Sequence, residues 1–180
     1  MCFSSLLNII SFGRCIYLFI CHPSIVSQQL AVRAAGRGLR VGIAQFLKSG
    51  DSGELLILSG LEMVRIFPFL KDVKFTFAMS EDERRTAREF YTGLLEKIKN
   101  LSSEFDFILL DEAVSAVTES FIELASLLEF IKNRPSGLEM VITGRNPPEE
   151  LINAADYISE IRCAKHPYQK GIGARKGIEW

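Results

Sequence analysis

The sequence predicts a three-layer α/β domain built on a mostly parallel sheet, and three observations carry that expectation. Phe105–Ala113, FDFILLDEA, is a short apolar run closed by two carboxylates, as expected of a strand buried on both faces. Leu39–Phe46, LRVGIAQF, and Glu139–Thr143 read the same way. Stretches of helical periodicity lie between the apolar runs, so strands and helices alternate, the pattern of a parallel sheet covered on both sides.

Composition bounds the remaining choices. A chain of 180 residues suits one domain with a sizeable core. Its formal net charge of −1 argues for a soluble globular protein and against a general nucleic-acid binder, which would carry a basic footprint. The four cysteines, Cys2, Cys15, Cys21 and Cys163, match no zinc spacing and read as free thiols in a reducing compartment. Met1–Ile20 is mostly apolar or small, but no basic stretch precedes Leu6–Ile10, as a signal peptide would require. Ile16–Ile20 is too short to span a bilayer, and Arg14 interrupts the longer run. The expectation is a cytoplasmic protein with no stable membrane association.

Taken in order, Ile16–Ile20 suits a core strand, and His22, Pro23 and Ser24 break it, with a helix starting near Ser24. Gln28–Gly36 reads as a helix with a small apolar face, ended by Gly36 and Gly38. In the following strand, Gly42 permits close approach of a neighbour. Leu55–Leu58 and Val64–Phe67 are further apolar runs, and Pro68 ends the second. Ser80 and Glu83 form a capping box ahead of a long helix whose stripe is Ala87, Phe90, Tyr91, Leu94, Leu95 and Ile98. Arg84, Arg85, Arg88 and Glu89 read as its solvated face. The spacing predicts a helix over Phe121–Lys132, a strand over Glu139–Thr143, a short helix over Glu149–Ala155 and a last strand over Asp156–Ile161.

The chemistry-bearing residues gather where strands end. Asp111 and Glu112 close the central strand, at the edge where open parallel sheets bind ligands, and hard oxygen donors suit Mg²⁺. They read equally as the acidic first turn of a helix, favoured by its dipole. Arg145 follows Thr143 and Gly144, where a guanidinium clamps phosphate oxygens or forms a salt bridge. Gln45 and Lys48 are polar candidates on the same edge. Phe75 and Phe77 read as walls for a bulky ligand or as core.

Four segments in order carry a resemblance: RAAGRGLRVGIAQF (Arg33–Phe46), LDEA (Leu110–Ala113), VITGRNP (Val141–Pro147) and KHPYQKGIGARKGIEW (Lys165–Trp180). Together they resemble the corrinoid adenosyltransferases of the cob(I)yrinic acid a,c-diamide type, over roughly Leu30 to the C-terminus. The resemblance implies a RecA-like P-loop domain that moves the 5′-deoxyadenosyl group of ATP onto the cobalt of a reduced corrinoid and releases triphosphate, within cobalamin biosynthesis. It also implies a homodimer, a reductant protein as partner, and Mg²⁺ as cofactor. By the same resemblance, Arg33 contacts triphosphate or ribose, Asp111 and Glu112 organise Mg²⁺, and Glu112 and Arg145 are catalytic. Lys165 lies near nucleotide or substrate, and His166 is a positioning or structural residue.

The chain departs from the family at one place. Members carry a glycine- and lysine-rich phosphate loop, usually GNGKGKTT, and Leu18–Ile25, LFICHPSI, stands there without glycine or lysine. Residues 1–29 are therefore read as an atypical segment and residues 30–180 as the adenosyltransferase-like domain. A misplaced start or frameshift, a catalytically weakened relative, or phosphate binding by other residues would each account for this. A non-catalytic corrinoid-binding protein and a P-loop-type ATPase are the alternative functions.

Overall fold

Strands and helices alternate along the chain because apolar runs short enough for strands are separated by segments with a single apolar stripe. The computed structural model describes residues 15–21, 25–50, 52–162, 165, 171–173 and 175. In chain order the elements are β1 (Ile16–Cys21), α1 (Ile25–Ala35), β2 (Val41–Gln45), α2 (Gly53–Leu58), β3 (Val64–Ile66), α3 (Glu81–Leu101), β4 (Phe107–Asp111), α4 (Ala113–Thr118), α5 (Leu124–Asn133), β5 (Glu139–Gly144), α6 (Glu149–Ala154) and β6 (Tyr157–Ile161). Short 3₁₀ turns occupy Thr76–Ala78 and Ser102–Glu104.

The described strands form one sheet in the order β3-β2-β4-β5-β1-β6, and every pairing is parallel. Alternate residues of the central strands feed two separate cores. Val41, Ile43, Leu109 and Val141 pack with Ala31 and Ala34 of α1 and Leu55 and Leu58 of α2. Ala44, Ile108, Leu110, Met140 and Ile142 pack with α3, α4, α5 and α6 on the opposite face. This two-sided burial explains why β2, β4 and β5 read as continuous apolar runs. At Gly42, an added Cβ would lie 3.1 Å from Phe67 and 3.2 Å from Phe105, so the two rings clasp the bare backbone. The three-layer α/β architecture expected from the sequence is the one observed.

Two expectations are corrected. The helix placed over Phe121–Lys132 begins only at Leu124. Phe121 and Ile122 are buried in the preceding turn, where their amides reach back to the Ala116 carbonyl. The buried face of α5 is accordingly Leu127, Phe130 and Ile131, with Ala125 exposed. Ile16–Ile20, read as a core strand, is strand: β1 extends to Cys21 and pairs with β6 on one side and, through Ile20, with β5 on the other. Finally, Arg84 and Arg88 are not merely a solvated face: both donate to carbonyls of the turn after α4. The predicted helix start near Ser24, the role of His166 and most of the C-terminal motif lie outside the described residues. Among the described residues, no helix is long and apolar enough to cross a membrane.

α3 begins as expected. The Ser80 hydroxyl accepts from the Glu83 amide, and the Glu83 carboxylate accepts from the Ser80 amide. Lys74 hydrogen-bonds the same carboxylate and, with the Ser80 amide, holds Glu83 below the usual carboxylate range. Replacing Ser80 with Ala should cost about 1 kcal/mol in urea denaturation. The cap contribution of Glu83 should be present above the ordinary carboxylate range and fade as pH falls through its lowered pKa.

Candidate active site at the carboxyl edge of the sheet

The site follows from where the connections go. β2 leads to α2 on one face and β4 leads to α4 on the other. Adjacent strands whose connections leave to opposite faces open a crevice beyond their carboxyl ends, the place where such sheets bind ligands. The register sets Gln45 directly beside Asp111 across that crevice. β1 and β5 diverge in the same way, toward α1 and α6.

Asp111 is fully buried. Its Oδ2 accepts from Lys48 Nζ at 2.7 Å and Gln45 Nε2 at 3.1 Å, and its Oδ1 accepts from the Thr143 hydroxyl at 2.8 Å. A desolvated carboxylate needs such partners. The sequence candidates Gln45, Lys48 and Asp111 thus form one cluster, completed by Thr143 from β5. Gln45 Oε1 is itself buried with no hydrogen-bond partner among the described residues. So is Nε2 of Gln28, one helical turn before Ala31 on the sheet-facing side of α1.

Glu112 faces a different space. Its backbone is left-handed (φ 60°), its amide donates to the Thr143 hydroxyl at 2.9 Å, and its carboxylate accepts from Ser115 Oγ at 2.6 Å. With Ser115, Leu47, Thr76, Glu119, Arg145 and Asn146 it lines a cleft of about 230 Å³. Glu112 and Arg145, 33 positions apart in sequence, therefore share one cavity. Arg145 is exposed. Positive φ clusters here: Leu47 (55°), Glu112 (60°), Gly144 (145°) and Asn146 (51°) follow or end β2, β4 and β5. Backbone strain of this kind concentrates at functional sites.

Two supports hold the cleft walls. The buried Tyr91 hydroxyl of α3 accepts from the Leu47 amide at 3.0 Å and so steadies the left-handed turn carrying Lys48. Burial pushes this phenol up to about 12, against the opposing effect of that hydrogen bond. Next to the cleft, Phe75 and Phe77 are 78 % and 87 % exposed and stack with centroids 5.5 Å apart. They are therefore not core.

Arg33 is exposed in the last turn of α1, which runs back along the sheet, away from the carboxyl edge. Lys165 is exposed, four residues past the end of β6. Sequence reasoning missed Thr143, Ser115 and Tyr91. For Thr143 the available signal was a hydroxyl one residue before a strand-ending glycine, in register with the Asp111 edge.

Among the described residues, no group of three or more His, Cys, Asp or Glu is placed to hold a metal ion. Asp111 is already occupied by three donors, one of them an ammonium. Glu112 and Glu119 both line the cleft, and the Glu112 carboxylate, accepting from Ser115 Oγ, keeps acceptor capacity for a hard cation.

Residues 26–180 match the family model for ATP:corrinoid adenosyltransferase BtuR/CobO/CobP. The chain belongs to this family. It is 30 % identical over 155 residues to the corrinoid adenosyltransferase of Escherichia coli strain K12, covering 83 % of this chain and 76 % of that one. It is 29 % identical over 157 residues to the Pseudomonas aeruginosa corrinoid adenosyltransferase, covering 84 % and 74 %. The corrinoid adenosyltransferase CobA of Salmonella typhimurium is 29 % identical over 153 residues, covering 83 % and 76 %. Residues 1–25 of this chain fall outside the family match.

Two stability predictions follow from the cleft walls. In Tyr91→Phe the Leu47 amide loses its acceptor, and unfolding in urea should show a loss of about 1–3 kcal/mol. The folded phenol has a raised pKa, so its contribution is intact below pH 10.0 and is lost as pH rises toward about 12; the gap between wild type and variant should narrow over that window. Gly144→Ala should be worse, because an added Cβ would lie 2.6 Å from Val114 Cβ and 2.8 Å from the Ser115 amide nitrogen. Overpacking together with a positive φ should cost about 3 kcal/mol or more, read as a fall in thermal midpoint.

Proposed function

We propose that the chain transfers the 5′-deoxyadenosyl group of ATP to the cobalt of a reduced corrinoid. The observation that carries this reading is the shared cleft of Glu112 and Arg145 beside the exposed Phe75–Phe77 pair. ATP would lie at the sheet edge with its triphosphate toward Arg145, and the stacked rings would face the corrinoid. The Co(I) electron pair attacks C5′ as the C5′–O bond breaks. The bond electrons leave with triphosphate, and cobalt ends as alkyl-Co(III). No side-chain nucleophile is required, so the protein's task is alignment and neutralisation of the leaving group. Arg145 would stabilise charge on the departing oxygens through its planar fork. Glu112 would hold Mg²⁺, whose chemistry is to neutralise triphosphate, while Asp111 holds Lys48 and keeps the edge in register. Arg33, Gln45, Lys48 and Lys165 remain candidates for nucleotide or substrate contact, with Gln45 offering its buried unpaired oxygen to a donor. A homodimer, a reductant protein partner and a cytoplasmic setting complete the proposal.

Residues 18–25 favour a second reading, a weakened or binding-only relative, because they contain neither glycine nor lysine and half of them are strand. Backbone amides that cradle phosphate need glycine's freedom, and the loop lysine supplies charge. Mixing the chain with ATP, Mg²⁺ and chemically reduced cob(I)alamin, and following Co–C bond formation by visible absorbance, separates the readings. Slow adenosyl transfer is expected. Corrinoid binding without transfer would favour the binding-only relative, and phosphate release without corrinoid would favour an ATPase. Glu112→Gln and Arg145→Lys should each slow transfer by an amount equivalent to about 2–4 kcal/mol, by analogy with lost oxyanion contacts. Both should keep the wild-type circular dichroism, since neither opens an apolar cavity. Near-wild-type rates at saturating ATP, Mg²⁺ and corrinoid would remove both from the assignment.

A further inference from the structure

Arg84 lies in the first turns of α3 and its guanidinium reaches two loops at once. One terminal nitrogen donates to the Thr76 carbonyl at 3.1 Å, within the 3₁₀ turn that carries Phe77. The other donates to the Glu119 carbonyl at 3.0 Å and lies 3.6 Å from the Glu119 carboxylate. The planar group also sits 4.9 Å from the centroid of the Phe121 ring, a buried side chain packed edge-on against Tyr91. One turn further along α3, Arg88 Nε donates to the Ser120 carbonyl at 2.9 Å, where the backbone is left-handed. Thr76 and Glu119 are opposite parts of the lining of the cleft that holds Glu112 and Arg145. Phe75 and Phe77, mostly exposed, have little else to fix their place.

We propose that Arg84 is a positioning residue that ties the Phe75–Phe77 loop to the end of α4 and so sets the distance between the aromatic pair and the cleft. The role of that distance rests on the adenosyl-transfer reading, in which one substrate lies on each side of it. Two carbonyls held by one guanidinium need the planar fork of arginine, because a lysine ammonium cannot span both in one geometry. Reacting groups brought from two substrates tolerate little displacement: a shift of about 1 Å can cost on the order of 100-fold. Arg85, the next residue, is the natural control, since it is exposed and pairs with Asp82 on its own helix.

The test uses the full chain and two substitutions, Arg84→Lys and Arg84→Gln; the first keeps the stem and the charge, so folding is not in question. Amide hydrogen exchange reads the tether without any ligand. The Ala78 and Met79 amides, bonded to the Phe75 and Thr76 carbonyls, should exchange about tenfold faster in both variants, as expected of a local opening, while Tyr91–Ile98 stay as protected as in wild type. Binding of cob(II)inamide, followed by visible absorbance, should weaken by about tenfold in both, with no rescue by lysine, and Arg85→Gln should change neither readout. Unchanged exchange at Ala78 overturns the proposal. So does faster exchange spread evenly along α3, which would make Arg84 a general stabiliser. So, too, does faster exchange at Ala78 with cob(II)inamide affinity equal to that of a wild type that binds it. Faster exchange at Ala78 and Met79 in a chain whose wild type does not bind cob(II)inamide would uphold the tether and overturn the adenosyl-transfer reading instead.

Discussion

A buried carboxylate at the end of the central strand constrains everything around it. Asp111 has no exposure, so its charge must be met within the protein. Lys48 reaches it from the turn after β2, Gln45 from the end of β2 and Thr143 from β5. One side chain thereby locks three neighbouring strands together at the edge where the connections part. The Thr143 hydroxyl is used twice, donating to Asp111 and accepting from the Glu112 amide. That second bond fixes the direction in which Glu112 leaves the strand. Arg145 follows Thr143 by two residues, so the cleft inherits its geometry from the same hydroxyl.

The pairing also shows how the two carboxylates divide their work. Adjacent acidic residues at a strand end invite a joint metal role. Strand alternation and the left-handed turn separate their surroundings: Asp111 lies on the side of Leu109, while Glu112 lines the cleft. Asp111 is paired with the Lys48 ammonium at 2.7 Å, and Glu112 is half-buried beside the Ser115 hydroxyl. The positive charge of Lys48 is spent on Asp111, so it adds little net field for a triphosphate. Arg145 lines the cleft beside Glu112.

The fold was legible because both-face burial leaves a plain mark: VGIAQ, FILLD and EMVITG are apolar runs bounded by polar residues. The break before α5 was not. Phe121 and Leu124 are three apart and fit a helical stripe, yet Phe121 is held in a turn by Tyr91, Arg84 and the Ala116 carbonyl, contacts from other elements that periodicity does not record. The site was half legible. Charged residues after strands announced Asp111, Glu112, Arg145 and Lys48, but Thr143 and Tyr91 sit inside apolar patterns and look like core until their hydroxyls are traced. Arg84 failed for the opposite reason: among Arg85, Arg88 and Glu89 it looked like solvent-facing charge, and only the tertiary fold brings two carbonyls to it. Arg33 was assigned by resemblance, and it lies in the last turn of α1, where periodicity says nothing of the direction the helix takes.

The distribution of backbone strain separates the two edges of the sheet. A non-glycine residue in the left-handed region costs about 1–2 kcal/mol, and it persists only where the surroundings hold it. Leu47 is held by the Tyr91 hydroxyl and Glu112 by the Thr143 hydroxyl, each through the amide that the turn would otherwise leave unpaired. Gly144 takes a conformation closed to other residues and lies against Val114 and Ser115, where a side chain has no room. At the opposite edge, the turn between α1 and β2 uses Gly38 at φ 77°, with nothing within 4 Å of an added Cβ. Glycine there serves a turn closed by backbone bonds from Gly38 to Ala35 and from Leu39 to Ala34. At the carboxyl edge the strain is instead borne by Leu47, Glu112 and Asn146, and at Leu47 and Glu112 it is held by bonds from neighbouring elements. A turn serving only to connect strands has no need of residues that must be forced into shape. Strain retained at three adjacent strand ends, around one cleft, fits an edge whose geometry is set before a ligand arrives.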